Sequence, residues 1–239
     1  KLVGFFARQG HPVIVVFNYG STFKGAYDNV EKAGQMIVDE IRAQSEDGEV
    51  ENVFEAKNDH GEIVATFRRL KYWIHVDGAL GAAFMPFLEM AHVNGRTDFR
   101  APAFDFRLPF VCSIVTSGHK WLGAPWPCGI FMTRSRLVLK PPSNPDYVGS
   151  PDTTFAGSRN ALSPLILWNY ITTHSCEHQV DAVVRCFDLA QFVHDELTRL
   201  GEQLGEDLWV ARSPLSLSVR FRKPNEAIMT KYSLGSEKL

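Results

Sequence analysis

Charge of one sign, paired cysteines and long apolar runs are all scarce in this sequence, and each scarcity removes a class of protein. The 25 Lys and Arg residues nearly balance the 27 Asp and Glu, leaving a net charge of -2. No Lys/Arg-rich run stands out, so nothing pulls the chain toward nucleic acid or an anionic membrane surface. The four cysteines, Cys112, Cys128, Cys176 and Cys186, form no CxxC pair. They read as reduced thiols of a cytoplasmic protein rather than a disulfide scaffold. No stretch reaches the roughly 18 apolar residues of a membrane-spanning helix, and Lys1 to Gly10 do not follow the pattern of a secretory signal. Internal repeats and low-complexity tracts are missing too. What remains is 239 residues, 45% hydrophobic and 22% charged, enough for one large core or one and a half domains.

The positive signals begin with Val13-Ile14-Val15-Val16-Phe17, a short β-branched run bounded by Pro12 and the Asn18-Tyr19-Gly20 turn, as expected of a buried parallel strand. Asp28 offers an N-cap for a helix whose apolar stripe is Val30, Ala33, Ile37 and Ile41 and which ends at Ser45-Glu46-Asp47-Gly48. Residues 48–69 are polar and aperiodic, an exposed excursion with a hairpin around Asn58-Asp59-His60-Gly61. Further buried strands are expected at Tyr72 to Val76, Val111 to Thr116 and Gly129 to Thr133. Alternation with helices implies an α/β sheet covered on both faces. Ser163-Pro164 starts one more helix, and a long amphipathic helix runs from about Glu177 to Arg199. Leu215 to Phe221 alternates like a strand of a second, half-exposed sheet. A domain change is placed in the Gly201 to Gly205 region, giving a large domain over 1–203 and the beginning of a small α+β domain over 204–239.

Chemistry concentrates in two strand ends. In Ser113-Ile114-Val115-Thr116-Ser117-Gly118-His119-Lys120-Trp121 a buried strand runs into a lysine, at the edge where α/β sheets bind ligands. Lysine serves as a nucleophile when desolvation or neighbouring cations release its proton. In Tyr72-Trp73-Ile74-His75-Val76-Asp77-Gly78-Ala79 a carboxylate closes a second buried strand at the same edge. Such a carboxylate can keep a pyridine nitrogen protonated, and the small Gly78 and Ala79 leave room for a flat ring. Taken singly, Lys120 is a solvating lysine and Asp77 a turn or N-cap residue. Together they make a site.

These segments, with Asn18-Tyr19-Gly20-Ser21-Thr22-Phe23-Lys24-Gly25-Ala26-Tyr27-Asp28 upstream and Gly157-Ser158-Arg159-Asn160 downstream, resemble in order the group II pyridoxal-phosphate-dependent amino-acid decarboxylases. The likeness covers nearly the whole chain, thinning over 48–69 and after about Leu204. It implies an aspartate-aminotransferase-like fold, mostly parallel sheet flanked by helices, and pyridoxal 5'-phosphate as cofactor. It implies that Lys120 forms a Schiff base with the cofactor and that Asp77 binds the pyridinium nitrogen. Ala79 would pack on one ring face, Ser21 would lie near the phenolic oxygen, and Ser117 and His119 would contact the phosphate. Ser158 would reach the neighbouring subunit's site in a homodimer, and Tyr147 is the candidate for a loop tyrosine that protonates the product carbon. The family's ring-stacking histidine and serine-type phosphate ligands lie upstream of its first strand, so the resemblance implies a longer polypeptide, with the small domain cut short at Leu239. The nearest family members act on histidine or on aliphatic amino acids such as methionine, leucine or valine.

Three rivals stand beside this reading. An aminotransferase or lyase of the same fold shares the Asp and Lys, and fold analogy does not separate them. A noncatalytic scaffold would keep the fold without the chemistry. A metal site is suggested by His174 and His178 at i, i+4 with Cys176 between, yet HExxH is not formed and surface or capping roles suit these histidines better.

Overall fold

In the computed structural model, residues 1–138 and 159–236 are described. Helix α1 (Leu2–Arg8) precedes strand β1 (Val13–Asn18), where the β-branched run was expected. Helix α2 (Val30–Gln44) follows, but its cap is not Asp28. Asn29 Oδ1 accepts the Lys32 N–H at 3.0 Å and so caps the first turn. Asp28 is drawn off to the end of β1, where its Oδ2 accepts the Asn18 N–H at 2.8 Å and its own N–H donates to the Asn18 carbonyl at 3.0 Å.

The polar excursion is a two-stranded antiparallel hairpin, β2 (Glu51–Lys57) and β3 (Ile63–Leu70), forming a sheet of its own. Asn58 Oδ1 accepts the His60 and Glu62 N–H groups, both at 3.0 Å, and closes the turn. Strand β4 (Tyr72–Asp77), helix α3 (Met85–Val93), strand β5 (Val111–Ser117) and strand β6 (Gly129–Thr133) complete the main sheet. Its order is β1-β4-β5-β6, with β1, β4 and β5 parallel and β6 antiparallel to β5.

Side chains alternate across this sheet. Tyr72, Ile74, Val76, Cys112 and Ile114 point inward and are buried. They join Val38 and Ile41 of α2 and Met85 and Leu88 of α3 in one cluster. Helix α4 (Leu162–Thr173) leads to the long α5 (Cys176–Leu204), whose Val183 and Phe187 enter the same cluster. Ser175 caps α5 by accepting the His178 N–H, and Gly205 ends it in the left-handed conformation (φ 66°) that favours glycine. On the opposite sheet face, Ile14 and Val16 of β1 and Phe131 of β6 stay exposed.

Beyond α5 the expected strand at Leu215 to Phe221 does not form. Only an isolated antiparallel bridge joins Ala211 to Arg220, before helix α6 (Glu226–Lys231). The reason is local hydrogen bonding. Ser216 Oγ accepts the Ser218 N–H at 2.9 Å and donates to the Ser218 carbonyl at 3.0 Å, while Arg212 Nε donates to the Ser216 carbonyl at 2.8 Å. Side chains thus occupy the backbone groups that a ladder would use. Among the described residues no helix is long and apolar enough to cross a membrane.

Candidate active site

Parallel pairing aligns Asn18 with Asp77 and Asp77 with Val115, so the carboxyl ends of β1, β4 and β5 meet at one sheet edge. Backbone bonds then hold those ends together past the ladder. The Tyr19 N–H donates to the Asp77 carbonyl at 2.8 Å, the Gly78 N–H to Val115 at 3.0 Å and the Ser117 N–H to Ala79 at 3.2 Å. Tyr19 is wholly buried beneath this junction, its hydroxyl donating to the Pro102 carbonyl at 2.6 Å and its ring stacked on Phe104. Burial pushes its phenol far above the ordinary tyrosine range, with a further push from Tyr27, so it acts as a neutral donor.

Asp77 is half-buried, and its Oδ1 accepts the Ala79 N–H at 3.1 Å, which orients the carboxylate at the start of the following turn. Gly78 has to be glycine because a Cβ there would approach the Ala82 Cβ to 2.4 Å. Lys120 lies three residues past the end of β5, exposed, in a turn closed by its N–H to the Ser117 carbonyl at 3.3 Å. That turn is anchored on both sides. Gly118 donates its N–H to the Cys128 carbonyl at 2.9 Å, and a Cβ on Gly118 would strike Cys128 Sγ and Leu167. Trp121 Nε1 donates to Gln179 Oε1 of α5 at 2.9 Å while its ring leans on Phe84. The backbone of the turn that carries the lysine is therefore held from both sides.

Of the weaker candidates, Ala79 and Ser117 stand on the two joined strand ends and are half-buried. His119 is exposed beside Lys120, its Nδ1 3.1 Å from both the N–H and the carbonyl oxygen of Cys128, which holds the ring against that loop. Ser21 sits in the loop after β1, its Oγ accepting the Ala26 N–H at 3.1 Å. Tyr147 and Ser158 lie outside the described residues.

The histidine pair suggested as a metal site is split between two helices: His174 caps the end of α4 and His178 lies in the first turn of α5. Their rings are 4.9 Å apart, and His174 stacks on Tyr170. Among the described residues no group of three His, Cys, Asp or Glu side chains is gathered to hold a metal.

One cluster went unnamed in the sequence reading. On the outer face of β4, two and four residues before Asp77, His75 and Trp73 share the buried hydroxyl of Ser113 on β5. The signal was there: counting back by twos from Asp77 gives His75 and Trp73, and Ser113 is a polar residue in an otherwise apolar run.

A carboxylate at the end of one strand and a lysine in the turn after its neighbour mark the sheet edge where α/β proteins place their ligand sites. Comparison with known proteins narrows this. Residues 6–203 match the conserved domain of pyridoxal-dependent decarboxylases, and the chain belongs to that family. It is 30% identical over 229 residues to the histidine decarboxylase of Vibrio campbellii, covering 96% of this chain and 48% of the relative. It is 32% identical over 226 residues to that of Mesorhizobium japonicum, covering 95% and 49%. Among solved structures, the L-methionine decarboxylase of Streptomyces sp. 590 in its internal aldimine form superposes with a TM-score of 0.89 at 43% identity, over 100% of this chain and 48% of that one. The chain thus spans about half the length of the relatives it matches.

Proposed function

We propose that this chain supplies the cofactor site of an enzyme that converts an L-amino acid to the corresponding amine and CO2. The reading rests above all on the two backbone bonds that join the ends of β4 and β5, because they tie the carboxylate of Asp77 to the turn that carries Lys120. The donor set suits pyridoxal 5'-phosphate: one exposed primary amine, one oriented carboxylate, and small residues at 78 and 79. When bound, the cofactor supplies an electron sink for the pair left on the substrate's α-carbon.

The chain's own side chains do the rest. Lys120 would be the cofactor's covalent anchor, through an amine exposed where the substrate's amine could replace it. Asp77 would pair with the pyridine nitrogen and favour its protonated form. Ala79 would pack on a ring face, Ser21 would lie near the phenolic oxygen, and Ser117 and His119 would hold the phosphate. For Tyr147 and Ser158, which lie outside the described residues, the proposed roles are proton delivery to the product carbon and a contribution to the second site of a homodimer.

The same reading includes a cytoplasmic location, a large domain over 1–203 and a small domain opening at 204; the left-handed Gly205 and the end of the family match at 203 support that boundary. The relatives point to histidine or methionine as substrate, and the higher identity to the methionine enzyme puts methionine first. A panel of L-amino acids scored for CO2, amine and keto acid tests the proposal. Amine and CO2 in equal amounts from methionine or histidine are expected; keto acid without CO2 would replace the decarboxylase by an aminotransferase.

A further inference from the structure

The hydroxyl of Ser113 is fully buried on the outer side of β5 and has two neighbours of opposite character. Trp73 Nε1 lies 2.8 Å away and His75 Nδ1 lies 2.7 Å away. An indole N–H only donates, so Ser113 Oγ accepts from Trp73. The hydroxyl proton then needs an acceptor of its own, since a buried donor left without one loses its hydration with nothing in return. Among the described residues, His75 Nδ1 is the acceptor its hydrogen bonds provide. The chain of donation therefore runs one way, from Trp73 to Ser113 to His75, and the proton of the imidazole belongs on Nε2.

We propose that Trp73, Ser113 and His75 are positioning residues that hold His75 as the neutral Nε2–H tautomer below Asp77, leaving the whole charge of that carboxylate for a cationic partner at the sheet edge. The link to a cationic ring rests on the cofactor reading above. His75 and Asp77 are two residues apart on the same face of one strand, about 6.6 Å along it. A cationic imidazole at that range would draw on the Asp77 field and weaken its pairing with a ring N–H. Two features oppose that charge. Ser113 Oγ donates into the nitrogen a second proton would occupy, and burial pushes the imidazole below its ordinary range, outweighing the opposing pulls of Asp77 and of a hydrogen bond to the Ser113 backbone. Asp77 is the charged group facing His75 from its own strand. The cross-strand neighbours Val16 and Ser113, and the Phe131 ring 6.2 Å away, carry no charge.

The test is the nitrogen spectrum of His75 in the full-length protein labelled with 15N-histidine, the signal assigned by its loss in His75→Gln. At neutral pH the wild type should show an unprotonated Nδ1 and a protonated Nε2. Ser113→Ala should put protons on Nδ1, through the other tautomer or the cation, and Ser113→Thr should restore the wild-type pattern. A wild-type ring protonated at Nδ1, or a Ser113→Ala spectrum equal to wild type, overturns the relay. The wild-type spectrum decides the tautomer even if the alanine variant does not fold.

With cofactor bound, Ser113→Ala should also raise the acid limb of kcat/KM by about one pH unit, a shift that Ser113→Thr reverses. A switched tautomer with an unmoved acid limb overturns the positioning role. A protein that forms no amine from any amino acid would count instead against the decarboxylase reading, because the tautomer is read without turnover.

Discussion

The two faces of the central sheet are built from the same strands and do opposite work. On the inner face Tyr72, Ile74, Val76, Cys112 and Ile114 are buried and apolar, locked to helices from three parts of the chain. On the outer face, one residue over, stand Trp73, His75, Asp77, Ser113 and Ser117, polar and partly open apart from the buried Ser113. Because successive strand residues alternate sides, stability and chemistry are separated by a single step in the sequence. Inner-face packing fixes where the strands end; the outer face and the strand ends use that rigidity to present a carboxylate and an amine.

Substitutions can break this division, and their effects should fall in order. Lys120→Ala should abolish turnover with little change in melting temperature, measured by amine release and thermal unfolding. Asp77→Asn, which keeps the shape and removes the charge, should lower kcat on the order of 10²–10³-fold, the usual cost of losing one preorganised electrostatic partner. Ile74→Ala, on the inner face, should cost about 2–5 kcal/mol in a denaturant titration while leaving activity per folded molecule intact. Tyr19→Phe removes the donor to the Pro102 carbonyl beneath the β1 and β4 ends, and should cost about 1–3 kcal/mol. Ile14→Thr, on the exposed outer face of β1, should change stability by about 0.5 kcal/mol or less. If Ile74→Ala reduced activity per folded molecule as strongly as Asp77→Asn, the two faces would not be independent.

Much of this division was legible in the residues. All four strands of the main sheet sit within about a residue of where their β-branched and apolar runs put them, but only β4 and β5 are the buried strands expected, since β1 and β6 leave Ile14, Val16 and Phe131 exposed. Helix α5 was legible from its stripe, and the hairpin from Asn58 and Gly61. Helix α3 was not, since Met85–Val93 is apolar nearly all round and shows no stripe to read. The Leu215 segment misled because alternation describes which side chains could face inward, not whether serine side chains will claim the backbone first. At the site, Lys120 and Asp77 could be named from strand ends alone. The Trp73, Ser113 and His75 cluster depends on the register between β4 and β5, which pairing decides and a single strand does not contain.

The most direct measurement is borohydride reduction of the cofactor-loaded protein followed by peptide mass spectrometry. The account predicts a reduced pyridoxyl adduct on the peptide containing Lys120, with loss of visible absorption. An adduct on a different lysine, or none in a protein that has bound the cofactor, would contradict it.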